Sequence, residues 1–223
     1  TIDAPLLAGA GERLKLIANY GAGVDHIDVA TARQRGILVS NTPGVLTEDT
    51  ADMGLALMLA VLRRMTEGMA KMQDGVWEGW APEALLGTRL GGKSLGILHA
   101  GLEEPLEATF HERLDALVGL SDVISVNCPH TPSTFHLLNA RRLKLMKPTA
   151  VVVNTSRGEV IDENALTRML RAGELAGAGL DVYERGHGVN PRLRELPNVV
   201  LLPHMGSATR EARLEMGEKV LVN

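Results

Sequence analysis

The sequence predicts an α/β fold built on buried parallel strands, and three observations carry that expectation. Short runs are apolar along their whole length, as strands buried on both faces are. The stretches between them are amphipathic. The two kinds alternate along the chain, which is the pattern of βαβ construction.

In order, the strand candidates are "LKLIAN" (14–19), "ILVS" (37–40), "SLGIL" (94–98), "DVISVN" (122–127), "AVVVN" (150–154), "GAGLDV" (177–182) and "NVVLL" (198–202). Helix candidates are "DVATARQRG" (28–36), "NARRLKLM" (139–146), "DENALTRMLRAGEL" (162–175) and "ATREARLEMGEKVLV" (208–222). A further helix, "LTEDTADMGLALMLAVLRRMTEGMAKM", opens with Thr47 as N-cap and Glu48 and Asp49 in its positive first turn. It is apolar on nearly every face, so it is expected to be buried on several sides, in the core or against a second subunit.

Bulk properties narrow the classes. The 223 residues suffice for one large domain or two lobes. A hydrophobic content of 45% with 22% charged residues is that of a folded globular chain. The net charge of -4 gives no general attraction to phosphate backbones or anionic lipid, so no nucleic acid and no membrane partner is expected. The one cysteine, Cys128, excludes an internal disulfide and any multi-cysteine metal site, and fits the cytoplasm. The longest apolar stretch, Met53 to Leu62, falls well short of the roughly 20 residues a membrane helix needs. The chain opens without methionine and without a signal-peptide pattern, and further residues are expected upstream.

Three places could carry chemistry. In "VVVNTSRGEVIDENAL" (151–166), Arg157 follows a buried strand at the carboxyl end, where α/β sheets bind ligands. Its planar fork of donors suits a carboxylate, although capping backbone carbonyls is the structural alternative. In "VVLLPHMGSATREA" (199–212) a strand ends in Pro203 and His204, which presents an imidazole able to give or take a proton near neutral pH. The other histidines (His26, His99, His111, His130, His136, His187) are read as structural. In "YGAGVDHIDV" (20–29) two glycines let backbone N–H groups approach an anion, or simply turn the chain.

Together "YGAGVDHID", "NTPGVLTEDTAD", "GWAP", "CPHTPST", "NTSRGEVIDENAL", "AGLDVYE" and "LLPHMGSAT" resemble the D-isomer-specific 2-hydroxyacid dehydrogenases, most closely the glyoxylate and hydroxypyruvate reductases, over nearly the whole chain. The resemblance implies a doubly wound, Rossmann-like dinucleotide-binding domain at 45–205 and an incomplete, flavodoxin-like substrate domain from 1–44 with a return segment at 206–223, the active site lying in the cleft between. It implies reduction of a small 2-oxo acid with NAD or NADP by a homodimer. Arg157 would bind the substrate's carboxylate and carbonyl, His204 would be the acid/base, and the backbone at Ala22 and Gly23 would cradle the carboxylate. Cys128, Thr155, Ser156, Arg157, Asp181, His204 and Gly206 would line the nicotinamide half of the cofactor site.

Two departures from the family pattern stand out. After "GIL" (96–98) the family's G-x-G-x-x-G turn, helix, second strand and ribose-reading residue are missing, and the text passes to "EEPLEATFHERLDAL" (103–117). That removes a helix N-terminus for pyrophosphate and the residue that tells NAD from NADP. Because the flanking strands stay apolar as if covered, the expectation is that a phosphate-binding unit belongs beside them. The second departure is Gly186, in "DVYERGHG", where the family has the glutamate that pairs with the histidine. Glu184 is a possible stand-in, though two residues of extended chain amount to roughly 6.6 Å. These losses keep a second reading open, a degenerate homologue acting as a dimerising or ligand-sensing module.

Overall fold

In the computed structural model, residues 1–99, 107–186 and 188–223 are described. The opening of the linker after Leu98, and His187, lie outside them. The chain divides into two compact units, Thr1–Asp52 with Gly206–Asn223, and Met53–Met205.

The first unit contains α1 (Ala4–Gly9), β1 (Leu16–Ala18), α2 (Val29–Gln34) and β2 (Leu38–Ser40). Strands β1 and β2 pair in parallel, Leu16 opposite Leu38. Asp3 and Asp28 cap α1 and α2 by accepting from Leu6 N–H and Thr31 N–H. Leu7, Ala32 and Ile37 form its small core. Helix α3 (Thr47–Leu62) crosses from this unit into the second and is followed there by α4 (Met65–Gln73).

The second unit continues with β3 (Leu95–Leu98), α5 (Leu114–Leu120), β4 (Val123–Val126), α6 (Ala140–Leu143), β5 (Val151–Asn154), α7 (Glu163–Arg171), β6 (Gly177–Leu180), α8 (Pro191–Arg194) and β7 (Val199–Leu201). The closing helix, α9 (Arg210–Val222), returns to the first unit, where Lys219 donates to the Pro43 carbonyl and Asn223 to that of Asn41. Strands β3 to β7 form one parallel sheet in chain order. This is the α/β, Rossmann-like architecture expected, with helices on both faces.

Every residue of β4, β5 and β6 is buried, which is why those runs read as largely apolar, with Ser125 and Asn154 the polar exceptions. Leu98, Ile124, Val126 and Val152 pack with α5 to α8 on one face. Val123, Val151, Val153 and Val200 pack with Leu57, Met58 and Leu62 of α3 on the other. Small residues in β6 let α3 come close: a Cβ on Gly177 would lie 2.6 Å from Val61, and one on Gly179 3.0 Å from Leu57.

The long helix expected from Leu46 to Met72 is two helices. Arg64 takes a left-handed conformation (φ 52°) and its guanidinium forks onto Glu67 at 2.9 and 2.6 Å. Thr88 N–H takes the Leu62 carbonyl at 2.7 Å, so the end of α3 is capped by chain passing over it. Burial is one-sided too: Leu57, Met58 and Leu62 are covered, while Leu55 and Leu59 are exposed. Thr47 is the first helical residue, and its hydroxyl donates back to the Gly44 carbonyl. Among the described residues β3 pairs with β4 alone, and Leu95 and Ile97 are exposed.

Candidate active site

Parallel strands aligned in register bring their carboxyl ends to one edge of the sheet, and the candidate residues of the second unit follow those ends. Cys128 comes after β4, Thr155, Ser156 and Arg157 after β5, Asp181 after β6, and His204 after β7.

A run of backbone bonds ties this rim together. Asn154, buried at the end of β5, donates its side-chain amide to the Arg157 carbonyl (2.9 Å) and accepts from Ser156 N–H (3.0 Å). Its own carbonyl accepts from Asp181 N–H (3.0 Å), and the Asp181 carbonyl accepts from His204 N–H (3.0 Å). Three hydrogen bonds therefore connect the arginine turn to the histidine turn. The Asp181 carboxylate, fully buried, accepts a further bond from Met205 N–H. His204 is held with φ at 55°, an unfavourable conformation for a residue with a side chain, and its imidazole is exposed on the rim. Such strain is kept where a site needs it.

Arg157 is half-buried and its Nη1 donates to the Ser156 carbonyl at 2.8 Å. The next residue fixes where its turn sits. A Cβ on Gly158 would fall 1.9 Å from the Tyr183 carbonyl carbon, so only glycine permits this approach. Tyr183 donates to the Leu202 carbonyl at 2.7 Å, and burial, then the neighbouring charge of Asp181, push its hydroxyl up to about 12. It stays a donor at every physiological pH and clamps the strand that leads to His204.

Glu184 does not stand in for the carboxylate absent at Gly186. One of its oxygens lies 2.8 Å from His136 Nε2, and the other accepts from Glu163 N–H at 3.2 Å. Glu163 returns the bond by accepting from Glu184 N–H. Burial raises the Cys128 thiol above its ordinary value, which suits a lining residue and not a nucleophile.

In the first unit, Ala22 and Gly23 sit in a loop whose carbonyls accept bonds from side-chain amides. Asn19 donates to those of Gly21 and Gly23, and Asn41 to that of Ala22. The Ala22 and Gly23 N–H groups have no protein acceptor among the described residues, so they remain available to an anion. Gly206, also in this unit, is buried. A hollow of about 490 Å³ in this unit, beside Leu6, Leu14 and Ile17, is apolar and is lined by no group able to do acid–base work.

Sequence reasoning missed Asn154 and Tyr183. Asn154 had a readable signal, a polar residue closing an all-valine strand; Tyr183 had none, because its role depends on a contact with a distant strand.

For a nicotinamide cofactor, the rim offers residues that fit: Thr155 and Ser156 after β5 carry hydroxyls, and Cys128 follows the neighbouring strand β4. No described residue offers a glycine turn and helix N-terminus for pyrophosphate after β3.

A Rossmann-like sheet with an arginine and a histidine linked through Asn154 and Asp181 at its carboxyl edge defines a site of the dehydrogenase type. The sequence profile of the D-isomer specific 2-hydroxyacid dehydrogenase NAD-binding domain matches residues 101–206. The glyoxylate reductase of Thermococcus litoralis is 44% identical over 253 aligned positions, covering 100% of this chain and 76% of that protein. The TT0316 protein of Thermus thermophilus superposes with a TM-score of 0.87 at 44% identity, covering 98% of this chain and 77% of its own. The NADPH-dependent glyoxylate/hydroxypyruvate reductase of Sinorhizobium meliloti, solved with NADP and malonate, gives a TM-score of 0.89 at 35% identity over 98% of this chain and 76% of its own. The chain belongs to the D-isomer specific 2-hydroxyacid dehydrogenase family. Its chemistry is that of an NAD(P)-dependent oxidoreductase.

Proposed function

We propose that this protein reduces a small 2-oxo acid, glyoxylate or hydroxypyruvate, to the 2-hydroxy acid. The observation that carries the reading is the bonded rim Arg157–Asn154–Asp181–His204. When bound, the reduced nicotinamide supplies a hydride to the carbonyl carbon. This chain's residues do the rest. Arg157 orients the substrate's carboxylate and carbonyl, and His204 gives its proton to the carbonyl oxygen as negative charge develops there. The Ala22 and Gly23 N–H groups receive the carboxylate. Thr155, Ser156, Asp181, Cys128 and Gly206 line the nicotinamide side. Residues 45–205 act as the cofactor domain, and 1–44 with 206–223 as part of the substrate domain.

The working form is a homodimer in the cytoplasm. Leu55, Leu59, Met69, Met72, Trp77 and Trp80 are exposed along α3, α4 and the segment after them, more apolar surface than a monomer usually leaves in one stretch. No helix among the described residues is long and apolar enough to cross a membrane.

Oxidation of NADPH or NADH on addition of glyoxylate or hydroxypyruvate tests the reaction, and sedimentation tests the dimer. No oxidation with any of the four pairings would favour a non-catalytic module instead.

A further inference from the structure

A dinucleotide on a doubly wound sheet lies across the point where strand order reverses, one mononucleotide over each half. Among the described residues this sheet has no reversal: β3, β4, β5, β6 and β7 lie side by side in chain order. Right-handed crossovers taken always in one direction put α5 to α8 on one face. A unit wound the other way from β3 would lay its helix on the opposite face, over Leu95 and Ile97. Those two side chains are 45% and 43% exposed, whereas Val123, the register partner of Leu95, is 1% exposed beneath α3.

The chain that links β3 to α5 is residues 99–113, too short for a further strand and crossover helix, which together take about 30 residues. Its opening sequence, "HAGLEEPLE" (99–107), carries one glycine and three glutamates, a composition that repels phosphate. The aligned length of 253 against 223 residues here leaves about 30 positions of the Thermococcus litoralis protein without a counterpart, the length of one such unit. The rim after β5 to β7, by contrast, is tied together by the hydrogen bonds that run from Arg157 through Asn154 and Asp181 to His204.

We propose that this chain recognises only the nicotinamide mononucleotide half of its cofactor. The adenosine half, with or without a 2′-phosphate, meets no dedicated surface among the described residues. The proposal rests on the reductase reading above. It makes the protein indifferent between NADH and NADPH, and lets reduced nicotinamide mononucleotide serve in place of either.

Isothermal titration calorimetry of the full chain with reduced nicotinamide mononucleotide, NADH and NADPH tests it. Dissociation constants within about threefold of one another are expected, since about 1.4 kcal/mol of added contact would already separate them tenfold. ADP-ribose, added first, should displace none of the three. A dinucleotide that binds more than about tenfold tighter than the mononucleotide, or is displaced by ADP-ribose, overturns the proposal and leaves the reductase reading standing. Absence of binding by all three nucleotides sinks both.

Discussion

The Met205 N–H donates to the buried carboxylate of Asp181 at 2.8 Å, while the N–H of His204 donates to the same residue's carbonyl. One residue just after β6 thus holds the peptide groups on both sides of the histidine and fixes it on the rim. Asp181→Ala removes the carboxylate and leaves the Met205 N–H without its acceptor, a loss of about 1–3 kcal/mol. Turnover should fall at least about tenfold as the strained His204 turn relaxes. Asp181→Asn keeps an acceptor oxygen and should retain most of the stability. Thermal melts beside steady-state kinetics separate the two; equal melting of both variants would show that the carboxylate does not hold the turn.

Arg157→Lys should leave the melting temperature nearly unchanged and cut kcat/KM by about 100-fold or more, because a single ammonium cannot reproduce the two-pronged grip on a carboxylate. Near-normal kcat/KM in folded variant would remove Arg157 from the mechanism.

Gly158→Ala is expected to be among the most damaging single substitutions in the chain. Its methyl would fall 1.9 Å from the Tyr183 carbonyl carbon and 2.3 Å from Glu184 N, backbone atoms that cannot swing aside. A loss above about 3 kcal/mol, read by denaturant titration, is the expected outcome. A mild effect would mean that the arginine turn can lift off the Tyr183 strand without penalty.

Gly186→Glu tests whether this turn once carried the histidine's carboxylate. A side chain there enters open space, though the glycine's φ of 60° makes any replacement cost about 1–2 kcal/mol. A carboxylate beside an imidazole favours the cation, so the pH optimum of reduction should move upward. An unmoved pH profile would place the new carboxylate away from His204.

Acid should loosen the second unit in a defined window. Asp115 is held below the ordinary carboxylate range by its bonds from Arg141 and Arg142, and Asp122 by its bonds from Lys147 and Ser94 N–H. Folding therefore favours their charged forms. The stability they add is fully present above the unfolded carboxylate value near pH 4 and is lost as pH falls through their lower folded values. In Asp122→Asn the acid limb of a melting-temperature profile should be shallower than in the parent. An acid limb of equal slope would show that the Lys147 pair contributes nothing.

The strands were legible because burial on both faces writes itself as runs dominated by valine, leucine and isoleucine: "AVVVN" became β5 at Val151–Asn154 and "DVISVN" became β4 at Val123–Val126. Arg157 and His204 were legible as polar residues at the ends of such strings. The break at Arg64 was not, because it depends on Thr88 capping Leu62 from another part of the chain. Nor was the engagement of Glu184 with His136, residues 48 positions apart. Sequence patterns record which face is buried; they do not record which distant partner a polar group finds.

The chain-order pairing of β3 to β7 also bears on how the sheet is made. No register pairing spans more than 28 positions, the separation of Leu95 from Val123 and of Val123 from Val151. Each strand leaving the ribosome meets its neighbour already synthesised and waiting, with one short loop to close. A sheet with a reversal must instead hold an early strand open until a much later one arrives. This sheet can zip from β3 onward as translation proceeds, with its contacts local and its refolding fast for a parallel architecture.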